Sequence, residues 1–148
     1  MNILVATDGS ESAIAAARRS MDLLRPSALI VLVAVIPEDP MGPSMPPAAA
    51  TGISDKQAEK DWKRATAEGQ AALDRTTAML GAEVELRLVP DDEKAGAAIV
   101  RVASEMNADV LVVGSSSKGW LSRLFGGSVS DYVAHHAPCP VMLIRHDH

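Results

Sequence analysis

Apolar side chains along this chain fall into short runs and into longer periodic segments. Four runs are apolar at every residue, which is typical of strands covered on both faces of a parallel sheet. A fifth alternates apolar and charged residues, which predicts a more exposed strand at a sheet edge. The fully apolar runs are residues 3–6, 28–36, 110–113 and 141–144, and the alternating run is residues 84–88.

Four segments with helical periodicity separate or follow these runs. Ser10 and Ser54 are the predicted N-caps of the first two helices, which end at Pro26 and Gly81. Acidic residues 91–93 are expected at the start of the third helix, where their negative charge interacts favourably with the helix dipole. The predicted buried positions are Ile14, Ala17, Met21 and Leu24 in the first helix, Ala58, Trp62, Ala65, Ala72, Leu73, Thr76 and Leu80 in the second, and Ala95, Ala98, Ile99, Val102 and Met106 in the third, and the fourth helix is predicted over residues 128–137.

Strands and helices that alternate in this way indicate a parallel sheet with right-handed crossovers and helices on both faces. We predict one α/β domain over residues 1–148, with an open five-stranded, Rossmann-like sheet. The spacing of the elements alone does not prove the strand order, for which we predict 3-2-1-4-5. Residues 37–53 contain five prolines and no periodicity, and we predict a long Pro-rich loop there.

Composition excludes several classes of partner. The formal net charge of −5 argues against a nucleic-acid partner, which binds to basic surfaces. One Phe, one Tyr and two Trp also offer few aromatic side chains on which bases could stack. No apolar run approaches the roughly 20 residues of a membrane helix. The first residues do not resemble a signal peptide, and a single cysteine cannot form an internal disulfide, so we expect a cytoplasmic protein.

The stretch from Gly114 to Ser128 carries the clearest chemical signal. It is rich in glycine and serine, and it leads from a predicted buried strand into a predicted helix. Backbone amides at a helix N-terminus bind anions, and small residues let a phosphate approach them closely. If the first strand is central, the turn at residues 6–10 faces this stretch across one crevice at the carboxyl edge of the sheet. The sequence therefore predicts a phosphate or nucleotide site.

Four segments of the chain have a distinctive combination of residues: residues 3–10 (ILVATDGS), residues 108–115 (ADVLVVGS), residues 127–130 (GSVS) and residues 137–141 (APCPV). With these segments the chain resembles the universal stress protein family over its whole length. It implies an ATP-binding homodimer that pairs along the fifth strand and acts in the stress response as a regulatory protein.

The nucleotide-binding branch of that family has glycine, two residues, glycine, nine residues, and then glycine followed by serine or threonine. Gly114, Gly127 and Ser128 match this pattern, but Ser117 stands at the second glycine. If residue 117 needs a positive φ, serine is less favourable than glycine there by about 1–2 kcal/mol of backbone strain. If the position needs only space for the phosphate, serine is tolerated. The resemblance implies that ATP, with Mg²⁺ as a candidate companion, contacts Ala6, Thr7, Asp8, Val35, Gly114, Ser115, Ser117, Lys118, Gly127, Ser128 and Val129.

Several alternatives remain open from the sequence. Asp8 binds ribose or a divalent cation, or it is a turn residue that satisfies its own backbone. The whole protein is either a nucleotide-binding regulator or a dimerisation module of the same family that binds no nucleotide. A third hypothesis, an adenine-nucleotide alpha hydrolase, lacks the Ser-Gly-Gly of that group's loop.

No catalytic or metal site is predicted from the sequence. No hydrolytic motif is present, so we expect at most slow ATP hydrolysis. Cys139 between two prolines is expected to be a small buried apolar residue rather than a reactive thiol. The pair His135 and His136 lacks a third ligand at a suitable spacing.

Overall fold

Strands and helices alternate along the chain as the hydrophobic pattern predicts. The computed structural model describes residues 1–24, 30–37, 54–81, 83–91, 94–115 and 129–145, so the Pro-rich residues 38–53 lie outside the described residues. The strands are β1 (Ile3–Ala6), β2 (Ile30–Pro37), β3 (Glu85–Asp91), β4 (Val110–Ser115) and β5 (Val141–Arg145). The helices are α1 (Glu11–Leu24), α2 (Asp55–Leu80), α3 (Ala95–Glu105) and α4 (Val129–His136).

The strands form one parallel sheet in the order β3-β2-β1-β4-β5, which confirms the predicted order. β1 is central and pairs with β2 on one side and β4 on the other, with Ala6 opposite both Val33 and Val113. β3 and β5 are the edges. The predicted edge position of β3 is therefore also confirmed, and Leu86 on it is exposed.

Helices cover both faces of the sheet, as predicted. Alternate strand residues face α3 and α4 in one apolar core, which includes Leu4, Val31 and Leu111. The intervening residues face α1 and α2 in a second core, which includes Ile3, Val5 and Val112. Ile3, Leu4 and Val5 are at most 1% exposed, because neighbouring strands and helices cover β1 on every side.

The predicted helix caps are present. The hydroxyl of Ser10 accepts a hydrogen bond from the amide of Ala13, and that of Ser54 accepts one from Gln57. Gly81 ends α2 in the left-handed conformation, with φ of 61°, and its amide donates to the carbonyl of Thr77. Each of these contacts satisfies a backbone or capping group that the helix itself leaves unpaired.

The expectation for Asp91 was wrong. Asp91 is the last residue of β3 and does not begin α3. The reason is that β2 extends to Pro37, which pairs with Asp91. α3 begins after Lys94, which makes no side-chain cap, and its first turn holds no acidic residue. Residues 92 and 93 lie outside the described ranges.

The predicted helix faces were right for α3 and partly wrong for α1 and α2. In α1 the buried residues are small (Ser12, Ala13, Ala16, Ala17 and Ser20), and Ile14 is only half-buried. In α2 the buried residues lie between Gly69 and Thr76, whereas Ala58, Trp62 and Ala65 are half-buried. None of the helices in the described part of the chain has the length and apolar character needed to cross a membrane.

The turn after β1 lies directly against α2. Gly9 has a φ of +72°, and a Cβ built on it would lie 2.8 Å from the Cα of Ala72 and would also collide with the guanidinium of Arg75. Gly9 therefore meets two requirements at once, a left-handed backbone and a close approach to another helix.

Replacing Gly9 by Ala is expected to lower the free energy of unfolding by about 2–5 kcal/mol, the sum of left-handed strain and overpacking. Gly81→Ala is the matched control, since Gly81 also has a positive φ but a Cβ added to it would meet no atom within 4 Å. That control is expected to lose only about 1–2 kcal/mol. Urea unfolding of both variants checks the difference, and equal losses would show that the contact with α2 carries no energy.

Candidate functional site

A notch opens at the carboxyl edge of the sheet where β1 stops short of its neighbours. β1 ends at Ala6, but β2 continues through residues 34–37 and β4 through residues 114–115. Strands two apart in a sheet are about 10 Å from each other, so β2 and β4 flank a gap of that width beyond β1. Chain order reverses between β1 and β4, which is where open α/β sheets bind ligands.

The turn at residues 7–10 forms the floor of this notch. Thr7 and Asp8 are 2% and 8% exposed. The Oδ1 atom of Asp8 accepts a hydrogen bond of 2.9 Å from the amide of Ser10, so the interpretation of Asp8 as a turn residue is right for that oxygen. Its Oδ2 atom accepts no hydrogen bond from the described residues. Among the described residues, this carboxylate oxygen is therefore available to a ligand hydroxyl or a cation.

Thr7 is directed to α2 rather than into the notch. Its amide donates to the carbonyl of Val33, and its hydroxyl lies 2.8 Å from that of Thr76. The amide and the hydroxyl of Thr7 are thus both engaged within the fold. In the sequence, Thr76 falls in the apolar stripe of the second predicted helix, so this contact was not predicted. A lone hydroxyl among buried alanines and leucines was the available signal.

Arg75 is a second residue that the sequence analysis missed. Its Nη2 is the atom nearest to the position that a Cβ on Gly9 would occupy, so the guanidinium lies over the turn. No carboxylate in the described part of the chain forms an ion pair with it. Only the tertiary fold brings this cation beside the turn that holds Asp8, because the two residues are far apart in the sequence.

Gly114 has a packing role that is independent of any ligand. A Cβ on it would stand 3.2 Å from the carbonyl oxygen of Ser12, 3.3 Å from the Cα of Ala13 and 3.4 Å from the Cβ of Ala16. The absence of a side chain lets α1 approach β4 closely. Ser115, the next residue, pairs through its backbone with Arg145 of β5.

Three further predicted residues meet in the core below the notch. Ala6, Val35 and Val129 are all buried and belong to the cluster that α3 and α4 cover. Val35 lies on the part of β2 that extends beyond β1, which places it beside the notch. The remaining predicted residues, Ser117, Lys118, Gly127 and Ser128, lie outside the described residues, and so does the predicted glycine-rich cradle.

Other candidate groups lie away from the notch. Burial, and then the carboxylate of Asp109, raise the pKa of the Cys139 thiol, which favours the unreactive protonated form. The ring of His136 stacks on Tyr132, and Nε2 of His135 lies 3.7 Å from the carboxylate of Asp131. Among the described residues, no three His, Cys, Asp or Glu side chains form a group that could hold a metal ion.

Comparison with known proteins shows a family match over nearly the whole chain. The family model described as the universal stress protein family matches residues 1–145. The universal stress protein PHOS34 of Arabidopsis thaliana is 28% identical over 96% of this chain, which spans 60% of the length of that relative.

Solved structures have the same fold. A universal stress protein in complex with cAMP is 26% identical, with a TM-score of 0.63, over 97% of this chain and 96% of the other. The universal stress protein of Archaeoglobus fulgidus in complex with dAMP is 24% identical, with a TM-score of 0.61, over 97% of each chain. Fold, element order and sequence match agree, and this chain belongs to the universal stress protein family.

Proposed function

We propose that this protein is a cytoplasmic, homodimeric universal stress protein that binds an adenine nucleotide as a regulatory ligand. ATP is the first candidate for this ligand, and we expect no fast catalysis. The observation that carries this proposal is the notch at the end of β1, with the buried carboxylate of Asp8 in its floor. The structural relative at 26% identity, which is a complex with cAMP, supports the ligand class.

The chemistry around the notch fits the parts of a nucleotide. The N-terminus of α1 gives a partial positive charge, and Arg75 adds a full one, so both favour phosphate. The Oδ2 of Asp8, which accepts no hydrogen bond from the described residues, suits a ribose hydroxyl or Mg²⁺ on the phosphates. The apolar end of β2 around Val35 suits a base, which is held in such sites mainly by apolar contact.

Asp8→Asn separates the ligand role of Asp8 from its role in the turn. Asparagine keeps the Oδ1 acceptor for the amide of Ser10 and removes the charge, so the unfolding midpoint is expected to stay close to that of the wild type. Calorimetric titration with ATP, with and without Mg²⁺, is expected to show affinity lowered about tenfold, equivalent to one lost charge-assisted contact. Unchanged or tighter ATP binding would remove Asp8 from the site.

Gly127→Val tests the proposed cradle. A branched side chain at the entrance to α4 is expected to exclude phosphate and to weaken ATP binding by at least about tenfold. Gly81→Ala is the control for a glycine substitution remote from the notch, and it is expected to bind ATP normally. Wild-type affinity in the Gly127 variant would show that the assigned cradle is wrong.

The second candidate function is a dimerisation module that binds no nucleotide. Two observations favour it: Ser117 replaces a glycine of the pattern, and packing against α1 is sufficient to explain Gly114. Absence of binding by ATP, AMP and cAMP at millimolar concentration would select this function.

The proposed dimer uses the edge strand β5. Leu143 on this strand is 47% exposed, and the unpaired backbone groups of an edge can pair with a second copy. Leu143→Lys is expected to give a monomer by size-exclusion chromatography with light scattering, at unchanged helix content. Leu86→Lys on β3, the other edge, is the matched control, since Leu86 is 38% exposed and outside the proposed interface. A monomeric wild type, or a dimer that only the control disrupts, would refute this interface.

A further inference from the structure

Buried hydroxyl groups join the turn after β1 to the C-terminal part of α2. The Oγ1 atoms of Thr7 and Thr76 are 2.8 Å apart, and the two residues are 2% and 0% exposed. Oγ1 of Thr7 also accepts a hydrogen bond of 3.1 Å from the amide of Gly9. Oγ1 of Thr76 donates one of 2.8 Å to the carbonyl of Ala72. The contacts thus form a continuous path from the turn to the helix backbone.

The direction of every bond in this path follows from the number of protons. A threonine hydroxyl has one proton to donate. The proton of Thr76 goes to the carbonyl of Ala72, which can only accept, so the proton of Thr7 must go to Thr76. The chain therefore runs from the amide of Gly9 through Thr7 and Thr76 to Ala72, with each hydroxyl accepting one bond and donating one.

Only one of three similar threonines in α2 has a described hydrogen bond that extends beyond the helix. Thr66, Thr76 and Thr77 each donate to the carbonyl four residues earlier, at 2.8–2.9 Å. Such a bond inside a helix is local and contributes little by itself. The hydroxyl of Thr76 additionally accepts from Thr7, which makes it the connection to the turn.

We propose that Thr76 is a positioning residue of the ligand notch: it fixes the Thr7–Gly9 turn and, through it, the orientation of the Asp8 carboxylate and the start of α1. This inference rests on the proposed nucleotide function for its effect on affinity. The physical reason is the burial of Thr7. Without an acceptor, its hydroxyl proton is left unsatisfied in the core. A change of the χ1 torsion that brings the hydroxyl to another acceptor also moves Oγ1 away from the amide of Gly9.

Thr76→Val removes the acceptor while keeping the shape of the side chain. Hydrogen exchange of the Gly9 amide, followed by NMR without ligand, is expected to become about tenfold faster, and ATP affinity is expected to fall about tenfold, as for one lost buried hydrogen bond. Thr76→Ser retains the hydroxyl and is expected to restore both. Thr77→Val loses the same kind of helix bond without touching the turn, and both quantities are expected to match the wild type.

The two readouts separate this inference from the proposed function. A wild-type protein that binds no adenine nucleotide would refute the proposed function, yet Gly9 exchange in the free protein would still test Thr76. Equal exchange and equal affinity in the Thr76→Val and Thr77→Val variants would overturn the positioning role. Weaker ATP binding in Thr76→Val that Thr76→Ser does not rescue would also overturn it, since the hydroxyl would then not be the cause.

Discussion

The structure depends on the burial of β1 at the centre of the sheet. This strand has only four residues, but it pairs with β2 and β4 along both edges and faces a helical layer on each side. Complete burial of Ile3, Leu4 and Val5 contributes about 1.5–3 kcal/mol for each side chain, which is large against a typical net stability of about 5–15 kcal/mol. A strand with so little exposed surface fixes the register of both neighbours and the plane on which all the helices pack.

The candidate site follows from the shortness of the same strand. Because β1 stops at Ala6 and its neighbours continue, the central position of the sheet is also the position where its edge is indented. Any group in the turn after β1 is held between two strands and beneath one helix. That environment keeps Asp8 at 8% exposure, although this residue lies in a turn. The fold thus builds the notch from strand lengths, and the turn supplies its chemistry.

Gly114 shows how one residue meets two demands that a sequence pattern cannot separate. It is the first glycine of the family's nucleotide pattern, and a Cβ added to it would also stand only 3.2–3.4 Å from three atoms of α1. A side chain at this position would require α1 to shift by a few tenths of an ångström whether or not a nucleotide is bound. Gly114 is therefore weak evidence for a bound phosphate, whereas Gly127 and Ser117 bear on that question more directly.

The sequence by itself determined the order of the elements, the parallel sheet and the helix caps at Ser10, Ser54 and Gly81, because these depend on local periodicity and local hydrogen bonds. It also singled out Asp8 as a candidate. Tertiary structure alone decided that Asp91 stays in β3, since that depends on the length of a distant strand, β2. It also decided that Thr76 and Arg75 of α2 meet the turn after β1. Contacts between residues more than sixty positions apart depend on how the helices pack on the sheet. Local sequence patterns contain no information about that packing.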